Sequence, residues 1–212
     1  MTAGTRQPAR LTNIEQLKTG ACPFCGGSGK HRETCSQAFT GSPTFHIDRV
    51  PKGTLILSAT GHRPNKIGGY SADADTKRCQ LAHDFLKPRA DRLKHVISGM
   101  ALGWDMAWAE AALALSISFI AAVPFNGQDS LWPALSQKRY KVLLQHAKKV
   151  VVVCAGGYDV WKMQKRNEWM VDNSAAIVAL WNGTSGGTAN CVRYANLKKV
   201  PVVNLWAKWA KL

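Results

Sequence analysis

The sequence predicts an α/β protein: a Rossmann-like three-layer sandwich around a mostly parallel sheet, with a small zinc-binding segment ahead of it. Three observations carry that expectation. Six short apolar runs alternate with helix-length stretches. The turns that follow the runs are rich in glycine and hydrogen-bond donors. A tight cysteine cluster precedes them all.

The runs are TLILSAT (54–60), HVISG (95–99), SFIAAVP (118–124), KVVVVCA (149–155), AAIVALW (175–181) and VPVVNLW (200–206). Each is short and continuously apolar, as strands covered on both faces are. Helices are expected between them at 73–87, 104–116, 133–147, 161–173 and 187–198, with Asp73 capping the first. Regular alternation at this spacing means parallel strands joined by crossover helices. The main domain then covers 53–206, with a short tail at 207–212. Ahead of it lie a polar, flexible stretch (1–21), the cysteine segment (22–36) and a turn-rich linker (37–52).

Composition bounds the function. At 212 residues the chain accommodates one full domain and a small appendage. Its 28 Lys+Arg against 13 Asp+Glu leave +15, which favours anionic partners unless the basic surface merely keeps the protein soluble. No apolar run approaches the ~18 residues of a membrane span, and the first residues lack the apolar core of a signal peptide. Six cysteines, three of them clustered, suit a reduced cytoplasmic protein with a metal site better than a disulfide scaffold.

In open parallel sheets, ligands bind beyond the carboxyl ends of the strands. In TGHRPNKIGGY (60–70), Gly61 permits close backbone approach, and His62 and Arg63 suit phosphate or ribose. In SGMALGWD (98–105), Gly99, Met100, Ala101 and Gly103 lead into a helix whose free amides favour an anion. Asp105 there either caps the helix or accepts from a ribose hydroxyl. VPFNGQDSLWP (123–133) offers Pro124, Phe125 to stack on a base, and Asn126 or Gln128 to hydrogen-bond it. NGTSGGTANCV (182–192) combines Gly183, Gly186 and Gly187 with Thr184, Ser185 and Thr188 in a bend that opens a helix, as a phosphate cradle requires. No lysine follows the last glycine, so it is not a Walker loop.

MQKRNEWMVDNS (163–174) poses a question. Arg166, followed by Asn167, shares a helical stripe with Met163, Met170 and Asn173 that should face the core. A charge there is costly unless a protein carboxylate or an anionic ligand meets it.

ACPFCGGSGKHRETC supplies Cys22, Cys25, His31 and Cys35, four ligands of the kinds a closed structural zinc site uses, with His46 as an alternative to His31. Without metal so short a segment has no core of its own. Lys30, Arg32 and Arg49 nearby suit nucleic-acid phosphates. Trp206 and Trp209 are expected to pack on the domain or on a second subunit.

The pattern M-x-x-R-x-x-x-M-x-x-N-S, an apolar strand and then G-G-T resembles the Lonely Guy (LOG) and lysine-decarboxylase-like proteins. TGHRP, SGMALGWD, VPFNGQ and NGTSGGTAN together resemble the YpsA-type branch of the same SLOG superfamily, which also includes the DNA-processing protein DprA. The likeness spans 54 to about 206. It implies a Rossmann-like domain binding a nucleotide or nucleotide-derived ligand at the turns, without a redox cofactor, and commonly a homodimer. In the LOG pattern, the arginine at Arg166 meets the ligand's phosphate or ribose and takes part in catalysis. LOG enzymes cleave the N-glycosidic bond of nucleoside monophosphates with a glutamate at the position of Cys191. A thiol cannot replace a carboxylate beside an oxocarbenium-like centre, and Glu168 or Asp105 would have to substitute. The first expectation is therefore a binder, as sensor or sequestering protein. N-glycosidase activity and DprA-like single-stranded DNA binding follow it. A bacterial or phage-encoded cytoplasmic protein fits this reading.

Overall fold

The computed structural model describes residues 50–212. Cys22, Cys25, His31, Cys35 and the alternative ligand His46 lie outside the described residues. In chain order the elements are β1 (Leu55–Gly61), α1 (Ala72–Leu86), β2 (Leu93–Ser98), α2 (Trp104–Ala114), β3 (Phe119–Val123) and α3 (Ala134–His146). They continue with β4 (Lys149–Val152), α4 (Val160–Asp172), β5 (Ala176–Leu180), α5 (Gly187–Leu197), β6 (Val202–Asn204) and α6 (Trp206–Trp209).

The described strands form one sheet in the order β4-β3-β2-β1-β5-β6, every pairing parallel. The chain moves outward from β1 to β4, then returns past β1 to lay down β5. Side by side, β1 and β5 run in register from Leu57↔Ala176 to Gly61↔Leu180. Their successor turns therefore leave the sheet in opposite directions and open a crevice between them.

Strand residues feed two cores by parity, since side chains alternate between faces. Leu55, Leu57, Ala59, Ala176, Val178 and Leu180 join Trp104, Trp108, Phe85 and Leu86 on one side. Ile56, Ile177, Ile97 and Ala122 meet Met170, Val171, Cys191 and Ala195 on the other. Both faces are thus covered, which is why the central runs contain no polar alternation. β4 is an edge strand with exposed Val150 and Val152. Pairing ends at Val152, short of the apolar run's end at residue 155. Asp73 does not cap α1; Ser71 does, accepting from the Ala74 amide at 3.2 Å, and Asp73 sits in the first turn. Asn173 likewise leaves the expected buried stripe and is exposed, bonded to the Trp169 carbonyl at the end of α4.

Three helices on the first face are tied by charge. Arg139 of α3 grips Glu110 of α2 with two nitrogens and reaches Asp75 of α1 at 2.8 Å. Asp75 also pairs with the fully buried Arg78, and Cys79 donates to Glu110 at 3.1 Å. Burial and the neighbouring Glu110 push the Cys79 thiol up to about 12, so it stays protonated. Removing Glu110 would leave the partly buried Arg139 with Asp75 alone. Glu110→Ala is expected to lower unfolding stability by about 2 kcal/mol in a urea titration.

Candidate functional site

β1 delivers its turn to the crevice from one side. Gly61 has no room for a side chain: a Cβ would lie 2.5 Å from the Trp104 Cβ. Gly103, with φ +95°, is constrained too, since its Cβ would stand 2.7 Å from the His62 carbonyl. These two glycines let the first and second turns interlock. Both act through packing, and Gly61 also lines the cavity between the turns. Pro64–Lys66 forms a single 3-10 turn that lifts Arg63, Asn65 and Lys66 over the opening.

β2 and α2 supply the acid. Asp105, in the first turn of α2, is 4% exposed. The Ser98 hydroxyl donates to its main-chain carbonyl at 2.7 Å. Burial pushes the Asp105 carboxyl above its ordinary range, while Arg166, Arg63 and the amides of Ala101 and Gly61 pull it back.

Arg166 comes from the middle of α4 and is 6% exposed. Its Nη1 donates to the Gly99 carbonyl and lies 3.4 Å from Asp105 Oδ2. A Cβ at Gly99 would fall 2.6 Å from both the guanidinium carbon and that carboxylate oxygen, so glycine is what leaves the pair its space. Burial works against the charge on Arg166, and Asp105 supports it. Nε of Arg166 is buried with no hydrogen-bond partner. The question raised by the stripe has its answer: a protein carboxylate does meet the charge, but it satisfies only one side of the guanidinium.

β5 and α5 close the far wall. Gly186, at φ +137°, precedes α5, and the helix has neither a side-chain cap nor an acidic residue in its first turn. Its positive end is left uncompensated. At Gly186 and Gly187 an added Cβ would meet nothing within 4 Å, in contrast to Gly61 and Gly99. Asn167 holds this wall by donating to the Gly187 carbonyl at 3.2 Å.

The result is a cavity of about 340 Å³. Of the residues singled out by sequence, Gly61, His62, Arg63, Ala101, Asp105, Arg166, Asn167, Ser185, Gly186, Gly187 and Thr188 line it. Thr60, Asn65, Lys66 and Met163 also line it and were missed. Lys66 had a signal, a lysine two residues after the proline that sets the 3-10 turn. Arg63, Lys66 and Arg166 give three cations against the single carboxylate of Asp105.

Other expected residues are elsewhere. Phe125 is 3% exposed and packs edge-on to Tyr158 at 5.7 Å, so its ring is not offered to a base. Pro124 is buried beside it. Gln128 is turned inward, donating to the Met100 carbonyl at 2.6 Å, and Met100 is fully buried with φ +57°. Gly99 touches the site through its carbonyl, and Gly183 (φ +89°) and Thr184 shape the turn beyond the lining. Thr184 takes a hydrogen bond from Lys66 at 2.9 Å and gives one to Asn182 at 2.7 Å. Asn182 reaches His62 Nε2 at 2.6 Å, and Trp206 meets the His62 ring edge-on at 6.1 Å. Trp206 and Trp209 both pack against the main core. Cys191 is fully buried beneath Thr60, and burial pushes its thiol up to about 11. Glu168 pairs with Lys165 at 2.9 Å, away from the lining.

Comparison with known proteins adds three findings. The family model YpsA, for the YspA SLOG family, matches residues 57–201, well over half of the chain. An uncharacterized SPbeta prophage-derived protein YoqJ of Bacillus subtilis is 39% identical over 115 residues, 47% of this chain and 67% of that protein. Among solved structures, DNA processing protein A from Helicobacter pylori, described for its single-stranded DNA binding mode, aligns at TM-score 0.53 and 19% identity. That alignment covers 74% of this chain and 66% of that one. The Streptococcus pneumoniae DprA aligns at TM-score 0.54 and 17% identity over 74% of this chain, and this chain spans about half, 51%, of its length. At these identities the structures share the fold.

The histidine at the cavity has a pH consequence. Burial, then Lys66, hold the His62 imidazole below its ordinary value, against the support of Asn182. An unfolded chain takes up this proton near the usual value of about 6.5, and the folded protein only at lower pH. Between those two values the unfolded state binds more protons, so stability falls as pH falls. His62→Gln should flatten the decline in Tm below about pH 6.5, measured by differential scanning fluorimetry across pH.

Proposed function

The chain belongs to the YpsA SLOG family, and on that premise we propose that the cavity between the β1 and β5 turns binds a nucleotide or nucleotide-derived ligand, in a sensing or sequestering role. One observation carries the reading. A buried guanidinium, anchored by Asp105 and Gly99 on one side, keeps Nε without a partner beside a cavity. A phosphate oxygen would complete it, and the uncompensated first turn of α5 would meet the same group. Arg63 and Lys66 would neutralise further negative charge, and Asp105 would accept from a ribose hydroxyl.

Two other readings draw on the same residues. LOG-like cleavage of a nucleoside 5′-monophosphate N-glycosidic bond would use Arg166, with Cys191 at the position of the family's glutamate. The buried thiol, held up to about 11, is neutral at pH 7 and offers no carboxylate. Asp105 is already engaged by Arg166. Binding without turnover is therefore preferred. A DprA-like role in holding single-stranded DNA is supported by the shared fold, with one phosphate of the strand in the cavity. The prophage origin of YoqJ supports a bacterial or phage setting, in which a cytoplasmic homodimer would be expected. Cys22, Cys25, His31 and Cys35 would hold a structural zinc, which metal content after purification tests directly.

Isothermal calorimetry with AMP, ADP-ribose, NAD, cyclic nucleotides and an oligothymidylate separates the readings. At least one mononucleotide or dinucleotide should bind. Arg166→Ala should weaken it about 100-fold, the magnitude of a lost charge-assisted hydrogen bond pair. Gly187→Asp, which meets no steric obstacle, should abolish binding with Tm retained. Binding of the oligothymidylate alone would favour the DprA-like role, and free base released from AMP would favour the glycosidase.

A further inference from the structure

Because every described strand is parallel, all six begin at the same edge, opposite the cavity. That edge is basic. Lys52 precedes β1, Arg92 and Lys94 stand at the start of β2, Lys148 and Lys149 at the start of β4, and Lys198 and Lys199 precede β6. Lys52, Lys94, Lys148, Lys149, Lys198 and Lys199 are exposed. Two acids face them: Asp91 pairs with Lys52 at 3.1 Å and Asp172 with Lys198 at 3.5 Å. Among the described residues, Lys94, Lys148, Lys149 and Lys199 have no carboxylate within ion-pair distance.

Helix ends do not account for this charge. A lysine at a helix carboxyl end balances the helix dipole, which covers Lys198. Lys94 and Lys149 are strand residues, and no dipole calls for them. Lys199 adopts φ +58°, just past the end of α5, a left-handed position where glycine fits at lower cost. A cation stands there despite the backbone. Burial first, then Lys148 and Lys94, hold the imidazole of His95, 9% exposed at this edge, below its ordinary value.

We propose that the amino edge of the sheet is a second binding surface, for the phosphodiester backbone of duplex nucleic acid. At about 4.8 Å per strand step, the row from β4 to β6 covers about 24 Å, the length of roughly seven phosphates along one duplex strand. Among the described residues the most exposed aromatic side chains, Tyr70, Tyr158 and Trp161, follow strand carboxyl ends and stand away from this edge. The half-buried aromatics near it are already engaged: Lys198 covers the Tyr194 ring at 5.3 Å while the Tyr194 hydroxyl donates to Asp172, and Trp169 packs on the core. A single strand held without specificity needs stacking platforms, and a membrane surface favours aromatic anchors. A row of lysines whose aromatic neighbours are already covered suits a duplex gripped by its phosphates, with no reading of sequence. This surface shares no residue with the cavity, so either reading can fail alone.

The test is fluorescence anisotropy of the full chain with a labelled 20-base-pair duplex, its single strand and anionic phosphatidylserine vesicles as competitors. Duplex binding should fall with salt at a log–log slope of about −4, as four released counterions require. Lys94→Glu/Lys148→Glu/Lys149→Glu should weaken it at least tenfold and leave the calorimetric nucleotide response unchanged. Lys138→Glu/Lys208→Glu/Lys211→Glu, with the same net charge, should weaken it less than threefold. If the reversals lower Tm, the corresponding Lys→Gln set replaces them. In the wild type, the His95 ring should titrate at higher pH once duplex is bound, because phosphates offset the two lysines. Equal loss in both triple variants, an unmoved His95, or preference for the single strand or for vesicles would overturn the proposal.

Discussion

The domain is organised around one buried ion pair, Arg166 with Asp105. Moving either charge out of water costs several kcal/mol, and losing one partner of such a pair typically destabilises by about 3–5 kcal/mol. The guanidinium is also held by the Gly99 carbonyl, and the nearby amides of Ala101 and Gly61 favour the charged form of the carboxyl. These contacts join β1, β2, α2 and α4 at one point. Glycine at 99 is required because a side chain would occupy the volume of the pair. A guanidinium fixed this way loses little freedom when an anion arrives, so the ordering cost that weakens flexible sites is already met in the fold.

Topology explains why that pair faces a cavity and not more protein. The strand order reverses between β1 and β5, so the turns after them diverge, and α5 begins where they part. Trp104 and Trp108 fill the space beneath the first face, while Cys191, Val171 and Ile177 fill the second. Among the described residues, the carboxyl edge between the two turns is left open as a cavity. There a helix start without acid or cap lines the same cavity as the Arg166 guanidinium.

Much of this was legible in the sequence for physical reasons. Strands covered on both faces must be continuously apolar, so six apolar runs marked six strands. Edge strands are less constrained, and there the reading overshot: 149–155 shortened to Lys149–Val152 and 200–206 to Val202–Asn204. Arg166 was legible because a charge on an apolar stripe demands a partner, though which partner needed coordinates. The glycines looked alike in sequence and differ in cause. Gly61, Gly99 and Gly103 are small because protein atoms press on them, Gly186 and Gly187 although none do. Phe125 read as a base-stacking ring, but a ring after a strand end packs inward as readily, and Tyr158 takes it. Lys66 was passed over because its place depends on a 3-10 turn set by Pro64. Asp73 and Ser71 both suit a cap, and two residues of register decided between them.

The most direct test is nuclear magnetic resonance of the arginine Nε–H groups and glycine amides during titration with AMP or ADP-ribose. The account requires the Arg166 Nε–H and Gly187 amide signals to shift along one saturation curve, with a change in the Asp105 carboxyl carbon. Saturable binding that moves other residues and leaves both signals in place would contradict it.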